Sequence, residues 1–180
     1  IYTVAMASQG LANYILKMFP EVKQPSMAIA YDCRNNSEVF ARITAEVMSA
    51  NGIAVYLFES LRPTPELSFA IRHYGCQSGV VITASHNPKE YNGFKAYWND
   101  GGQLIAPHDK NVIAEVEKIN GPLDVKFDAK PELITMLGED FDHIYIERIK
   151  QLSLSPEVIA RQKDFKVVFT PIHGSTVKLV

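Results

Sequence analysis

The chain has 180 residues, 47% of them hydrophobic, which is too apolar for a disordered protein and enough for one substantial core, or for one domain plus part of another. With 18 Lys and Arg against 20 Asp and Glu there is no basic face for nucleic acid and no polybasic stretch for a membrane surface, so any anionic ligand must be held by local geometry. No run is long and apolar enough to span a bilayer, and Cys33 and Cys76, without metal-ligand spacing, read as two small buried side chains in a reducing, cytoplasmic setting.

In chain order, Val4, Ala7, Leu11, Ile15 and Met18 recur at helical spacing, and Ala5, Ala12, Leu16 and Phe19 widen that face into a deeply buried helix. No capping residue introduces it, as though the chain had been cut just upstream. "MAIAYD" (27–32) is a strand with a polar end, and Asn35, Asn36 and Ser37 can cap a helix that turns Phe40, Ile43, Val47 and Ala50 inward. "IAVYLFE" after Gly52 is a second strand, with Thr64 as N-cap and Pro65 at the first position of the next helix. "SGVVIT" (78–83) is a third strand, continuous in β-branched residues as buried parallel strands are. "NGFKAYW" (92–98) alternates and runs into Asp100-Gly101-Gly102, which predicts an antiparallel edge strand and a tight turn, with Trp98 packing in the core or on the edge strand. Residues 107–119 read as a helix stopped by Gly121-Pro122, and residues 121–138 as a loop with a short helix. A surface helix over 140–152 should turn Phe141, Ile144, Tyr145, Ile149 and Leu152 inward, and Ser155-Pro156-Glu157 begins a further turn or two. "FKVVFTPIHGSTVKLV" reads as a strand, a loop and the opening of a helix, a unit that needs more chain to pack against.

Ligands of open α/β sheets collect at the carboxyl ends of strands, and three polar loops follow three predicted strands: Asp32-Cys33-Arg34, Glu59-Ser60-Leu61-Arg62 and Thr83-Ala84-Ser85-His86-Asn87. Asn87-Pro88 forces the last loop out of its strand, leaving Ser85 exposed where chemistry is expected. A hydrolytic serine needs a base that reaches it and an acid that orients the base. His86 is adjacent in sequence, where side chains diverge, and Thr83 and Asn87 occupy the places where a nucleophile elbow has glycines. A serine that carries phosphate asks for cations and donors, which His86, Lys89, Lys95 and Arg34 could supply, and for a hard cation such as Mg²⁺. On residue chemistry alone, a plain strand exit made of turn-forming residues accounts for the loop equally well.

"TASHNPKEYNGFKAYW" resembles the active-site serine loop of the α-D-phosphohexomutase superfamily, the phosphoglucomutases and phosphomannomutases. "YDCRNNS" is similar to that family's D-x-R-x-x-S, "RPTPEL" to its T-P-x-L helix start, and "FTPIHGS" to the start of its second domain. The resemblance implies an α/β fold, a three-layer αβα domain with a mixed, mostly parallel sheet, over residues 1–155. Residues 156–180 would be a linker helix and the truncated start of a second domain. It further implies that Ser85 is the phosphoserine and binds Mg²⁺ through its phosphate, and that His86 and Lys95 serve proton transfer and charge stabilisation. Arg34, Asn87 and Lys95 would hold substrate or loop, with Arg34 also readable as an ordinary ion pair. The substrates would be a hexose phosphate, glucose favoured, and its bisphosphate, with mannose, pentose or glucosamine phosphates as alternatives and a non-catalytic sensing or assembly domain as the rival. His173 matches the family's "HG", though a lone loop histidine is more often structural; His73, His108 and His143 get no role. The family's early glycine-rich segment, its metal loop, its sugar loop and its distal phosphate loop are absent from these residues, so the other metal ligands would come from further domains and residues 1–180 alone should not turn over.

Overall fold

The structure, a computed structural model, describes residues 1–180. Its centre is a five-stranded sheet in the order β4-β3-β1-β2-β5, built from β1 (Ser26–Tyr31), β2 (Ala54–Phe58), β3 (Ser78–Ile82), β4 (Phe94–Trp98) and β5 (Ile134–Leu137). β1 pairs in parallel with both β2 and β3, β5 is parallel to β2, and only β4 runs antiparallel, against β3. The predicted mixed, mostly parallel sheet and its antiparallel edge are both present.

Side-chain alternation sends the two faces of each strand into separate cores. Met27, Ile29, Val55, Leu57, Val80 and Ile82 face α1 (Tyr2–Met18), α2 (Ser37–Ala50) and α4 (His108–Val116), where they meet Leu11, Ile15, Ala45, Met48 and Val112. Ala28, Ala30, Phe58 and Val81 face the other way, onto Leu67, Ala70 and Ile71 of α3 (Thr64–Tyr74) and Phe141 of α5 (Glu139–Lys150). Helices on both faces make the three layers. Because α2 and α3 lie on opposite faces while β2 and β3 flank β1 on opposite sides, the winding reverses between β1 and β3. Their outgoing loops therefore leave side by side over a crevice.

Several expectations are corrected. α3 has Pro63 at its N-cap and Thr64 as its first helical residue, and neither it nor α2 has a side-chain cap. Asn36 precedes α2 in the left-handed region, φ 64°, while the Ser37 hydroxyl turns to Asp32 at 2.9 Å. Ala41, Ala45 and Met48 carry the buried stripe of α2 together with Val47, whereas Phe40 is only half-buried. Met18 lies at the end of α1 beyond the core. Residues 121–138 contain β5, a strand the sequence hides: two short 3₁₀ turns come first, and as an edge strand it buries only Leu137 fully. Only the first turn of α5 reaches the core, through Phe141 and Asp142, and Ile144, Ile149 and Leu152 stay largely exposed. Residues 165–169 form no strand, since both sheet edges lie elsewhere and nothing pairs with them. A last helical turn, α6, spans Pro156–Ala160. Cys76 is buried as expected, but Cys33 is exposed, because it sits past the end of β1 in the outgoing loop. Trp98 packs at the sheet edge as predicted, stacked on His108 at 4.4 Å and beside Phe19 and Tyr14. No helix is long and apolar enough to cross a membrane.

Candidate active site

The crevice between the ends of β1 and β3 opens into a cavity of about 1000 Å³, lined by both outgoing loops, by Leu61, Arg62 and Thr64 after β2, and by residues 172–177. Asp32 ends β1 with its backbone N–H on Ile82 of β3, so the two loops start from one ladder. Two residues on, Arg34 is bound to the neighbouring loop. Its Nε donates to Asp32 Oδ2 at 2.9 Å, its Nη1 reaches the carbonyls of Asn87 (2.6 Å), Pro88 (2.8 Å) and Tyr91 (3.3 Å), and its Nη2 donates to the carbonyl of Ser85. The fork of a guanidinium can collect this many carbonyls where an ammonium cannot. Both Arg34 interpretations, loop-holding and ion pairing with Asp32, thus describe one arrangement.

Ser85 is exposed on the cavity with φ 61°, a left-handed conformation that costs a residue bearing a Cβ about 1 kcal/mol. Its N–H donates to Thr83 Oγ1 at 3.1 Å, and the Thr83 hydroxyl donates to Asp32 Oδ2 at 2.6 Å. The loop then closes through two tight turns, Asn87 N–H on Ala84 and Tyr91 N–H on Pro88, and returns to β4 where Thr83 N–H meets the Gly93 carbonyl at 3.0 Å. Asn92 fastens that return by donating to Asn35 O at 3.1 Å and to Ser37 Oγ at 2.8 Å. Gly93 is required there: a Cβ would lie 2.7 Å from the Thr83 carbonyl.

Ser85, His86, Asn87 and Arg34 are therefore brought together, and Lys89, Arg62 and His173 join them on the cavity wall. His86 Nδ1 lies 3.4 Å from Ser85 Oγ, long for a hydrogen bond, and no carboxylate orients the ring, so the arrangement is not that of a hydrolytic triad. Lys95 does not line the cavity. It stands on β4 opposite Val81, on the sheet face of that cavity-lining residue, and no hydrogen bond joins it to Ser85 or His86. The His173 carbonyl accepts from Cys33 Sγ at 2.8 Å.

Sequence reasoning left Asp32 without a role, although the D-x-R-x-x-S spacing is its signal: one carboxylate accepts from Arg34 N–H (3.0 Å) and Ser37 on Oδ1, and from Arg34 Nε and Thr83 on Oδ2. It also missed a buried charge cluster behind the cavity. Arg62, 1% exposed, is clasped by Asp142 of α5 at 2.7 and 2.6 Å and also holds Ser60 Oγ and the Leu61 carbonyl. Glu66 lies 3.9 Å from the Arg62 Nε, fully buried and with neither carboxyl oxygen hydrogen-bonded. Burial, and after it the Asp142 carboxylate, push Glu66 up to about 8. Nothing in the sequence ties residue 62, in the loop before α3, to residue 142 on α5.

Arg34, Lys89, His86 and His173 make the mouth of the cavity a place for an anion, whereas a hard cation finds little. No three His, Cys, Asp or Glu side chains are placed to hold a metal ion, and Asp32 is already occupied by four donors. Mg²⁺ is therefore not held by these residues alone.

A phosphoglucomutase of Staphylococcus haemolyticus is 37% identical over 180 residues, covering 99% of this chain and 32% of that protein. A human phosphopentomutase is 35% identical over 183 residues, 96% of this chain and 30% of its own. Among solved structures, the open form of pp63/parafusin, a phosphoglucomutase from Paramecium, superposes with a TM-score of 0.68 at 20% identity over 92% of this chain and 36% of that one, a likeness of fold. This chain thus spans about a third of the length of the relatives it matches. Residues 1–122 match the family model described as phosphoglucomutase/phosphomannomutase, alpha/beta/alpha domain I, which takes in both β1 and β3 loops, and the chain belongs to that family of phosphosugar mutases.

Proposed function

We propose that residues 1–180 are the N-terminal part of an enzyme that interconverts a hexose 1-phosphate and the 6-phosphate, glucose favoured, through a phosphoryl group carried on Ser85. The supporting observation is Ser85 itself: exposed at the crevice and gripped only through its backbone, so that Oγ is free to bond phosphorus. In the first half-reaction a sugar hydroxyl oxygen bonds the phosphorus as the bond to Ser85 Oγ breaks. The hydroxyl proton passes to a base and Ser85 Oγ regains a proton, leaving a sugar bisphosphate. The bisphosphate turns over and its other phosphoryl group returns to Ser85. His86 and Lys95 between them are proposed to supply proton transfer and charge stabilisation, and Arg34 and Asn87 hold the loop and substrate end of the site. Mg²⁺ would bind the phosphate on Ser85 with ligands from outside these residues. Residues 1–155 would form the first domain and 156–180 the way into a second, and the two unpaired thiols suit a cytoplasmic enzyme. The match to a human phosphopentomutase supports a second reading with a pentose phosphate as substrate.

Intact mass of full-length protein from its native cells should show one phosphoryl group on Ser85, and Ser85→Ala should abolish mutase turnover. An unmodified Ser85 together with an active Ser85→Ala protein would sink the mechanism, and hexose against pentose phosphates as substrates separate the two readings.

A further inference from the structure

Both peptide groups of Ser85 are held by side chains that meet on one atom. The Ser85 N–H is bound by Thr83 Oγ1 at 3.1 Å and the Ser85 carbonyl by Arg34 Nη2, and Thr83 Oγ1 (2.6 Å) and Arg34 Nε (2.9 Å) both donate to Asp32 Oδ2. The hydroxyl directions are forced. The backbone N–H of Ser85 has a proton to give, so Thr83 accepts from it and spends its own proton on Asp32. The other oxygen repeats the pattern: Ser37 donates to Oδ1 and accepts from Asn92 Nδ2, at the far end of the same loop. A residue with a Cβ drifts back to negative φ unless its surroundings hold it. Asp32 is the one group connected to both sides of Ser85, and it does not itself touch the Ser85 side chain.

We propose that Asp32 is a positioning residue for Ser85: acting through Thr83 and Arg34, it fixes the left-handed conformation that aims Ser85 Oγ into the cavity. The kinetic consequence rests on Ser85 being the phosphoryl carrier, whereas the conformational one does not. Asp32→Asn keeps the shape and breaks the function, because whichever way the amide turns, its NH₂ faces two donors that have lost their acceptor. Thr83→Val removes one arm alone, and Thr83→Ser restores the hydroxyl.

The test uses full-length protein, with three measurements on each variant: Ser85 φ in crystal structures, the single-turnover rate of phosphoryl transfer from a hexose bisphosphate to Ser85, and the melting temperature. Asp32→Asn and Thr83→Val should release Ser85 from positive φ and slow the transfer by about 10²-fold, the order expected for a misplaced reacting group, with KM little changed. Thr83→Ser should return to near the wild-type rate at φ close to 61°. If both disabling variants keep Ser85 at positive φ and transfer phosphate normally, Asp32 does not position it. If their rates fall only in step with melting temperature and Thr83→Ser rescues nothing, the role is plain stability and the proposal is overturned. Should wild-type Ser85 accept no phosphoryl group, the proposed function fails, and the φ values still decide the positioning role.

Discussion

Glu66 should make this protein lose stability as pH rises through neutrality. Its carboxyl sits at 0% exposure with both oxygens unpartnered, and its pKa is raised from the ordinary 4.5 to about 8 by burial first and then by Asp142, with Arg62 pulling the other way. Arg62 offsets this only in part, since its guanidinium is already clasped by Asp142, with Glu59 a further 3.9 Å contact. Tyr145 of α5 faces the same cluster and is itself pushed up by burial and by Glu66. Between pH 4.5 and about 8 the folded chain holds a proton that the unfolded chain has released, so each pH unit in that window removes stability, by about 1.4 kcal/mol at most. Over the whole window this amounts to roughly 3–5 kcal/mol, which for a domain of this size is on the order of 10 °C in melting temperature. Glu66→Gln removes the titration while keeping the shape, and any cost of its buried amide is the same at every pH. The difference in melting temperature between Glu66→Gln and wild type should therefore grow steadily from pH 5 to pH 8 in the variant's favour and level off above. Parallel stability curves across that range would refute the argument and imply that water or a moved side chain reaches Glu66.

Thiol labelling of the folded chain should modify Cys33 and spare Cys76, since Cys33 is exposed on the cavity while burial pushes Cys76 up to about 11; mass spectrometry of native and denatured samples checks this, and prompt modification of Cys76 in the native state would contradict it. Gly93→Ala should cost about 1–3 kcal/mol, because the new methyl would meet the Thr83 carbonyl, a backbone atom that cannot swing aside. Thermal melts would show it, and an unchanged melting temperature would mean that the loop return has slack.

What could be read from the chain alone follows from how local each signal is. β1 and β3 are short apolar runs buried on both faces and β2 an apolar run with one face half-buried, and hydrophobic patterning finds such strands wherever they lie. β5 carries no such signal, for a four-residue edge strand is defined by its partner β2 more than by its own side chains. The same reasoning explains α5: Ile144, Ile149 and Leu152 have helical spacing, but spacing cannot say whether anything covers them, and within these residues only Phe141 and Asp142 are buried. Ser85 and His86 were legible because they are contiguous and follow a strand. Asp32 was in view within its motif, yet its importance comes from Thr83, which another strand delivers. The Arg62–Asp142 pair had no trace at all, since it joins the loop before α3 to α5 through residues far apart in sequence.

The loop also shows why a carboxylate should be needed where a glycine could have served. A turn that requires positive φ is usually given to glycine, which adopts it without cost. At position 85 that solution is closed if the side chain is to carry a phosphoryl group, so the conformation must be held from outside. The chain does so with donors and acceptors rather than packing, because Ser85, His86 and Asn87 are all exposed and no core presses on them. A hydrogen-bonded support of this kind can be rigid only if its own anchor is, and Asp32 meets that condition: it leaves β1 directly, beside β3, with four donors dividing its two oxygens between them. The reversal of winding between β1 and β3 is what sets anchor and serine next to each other, so the sheet topology and the strained serine belong to one construction.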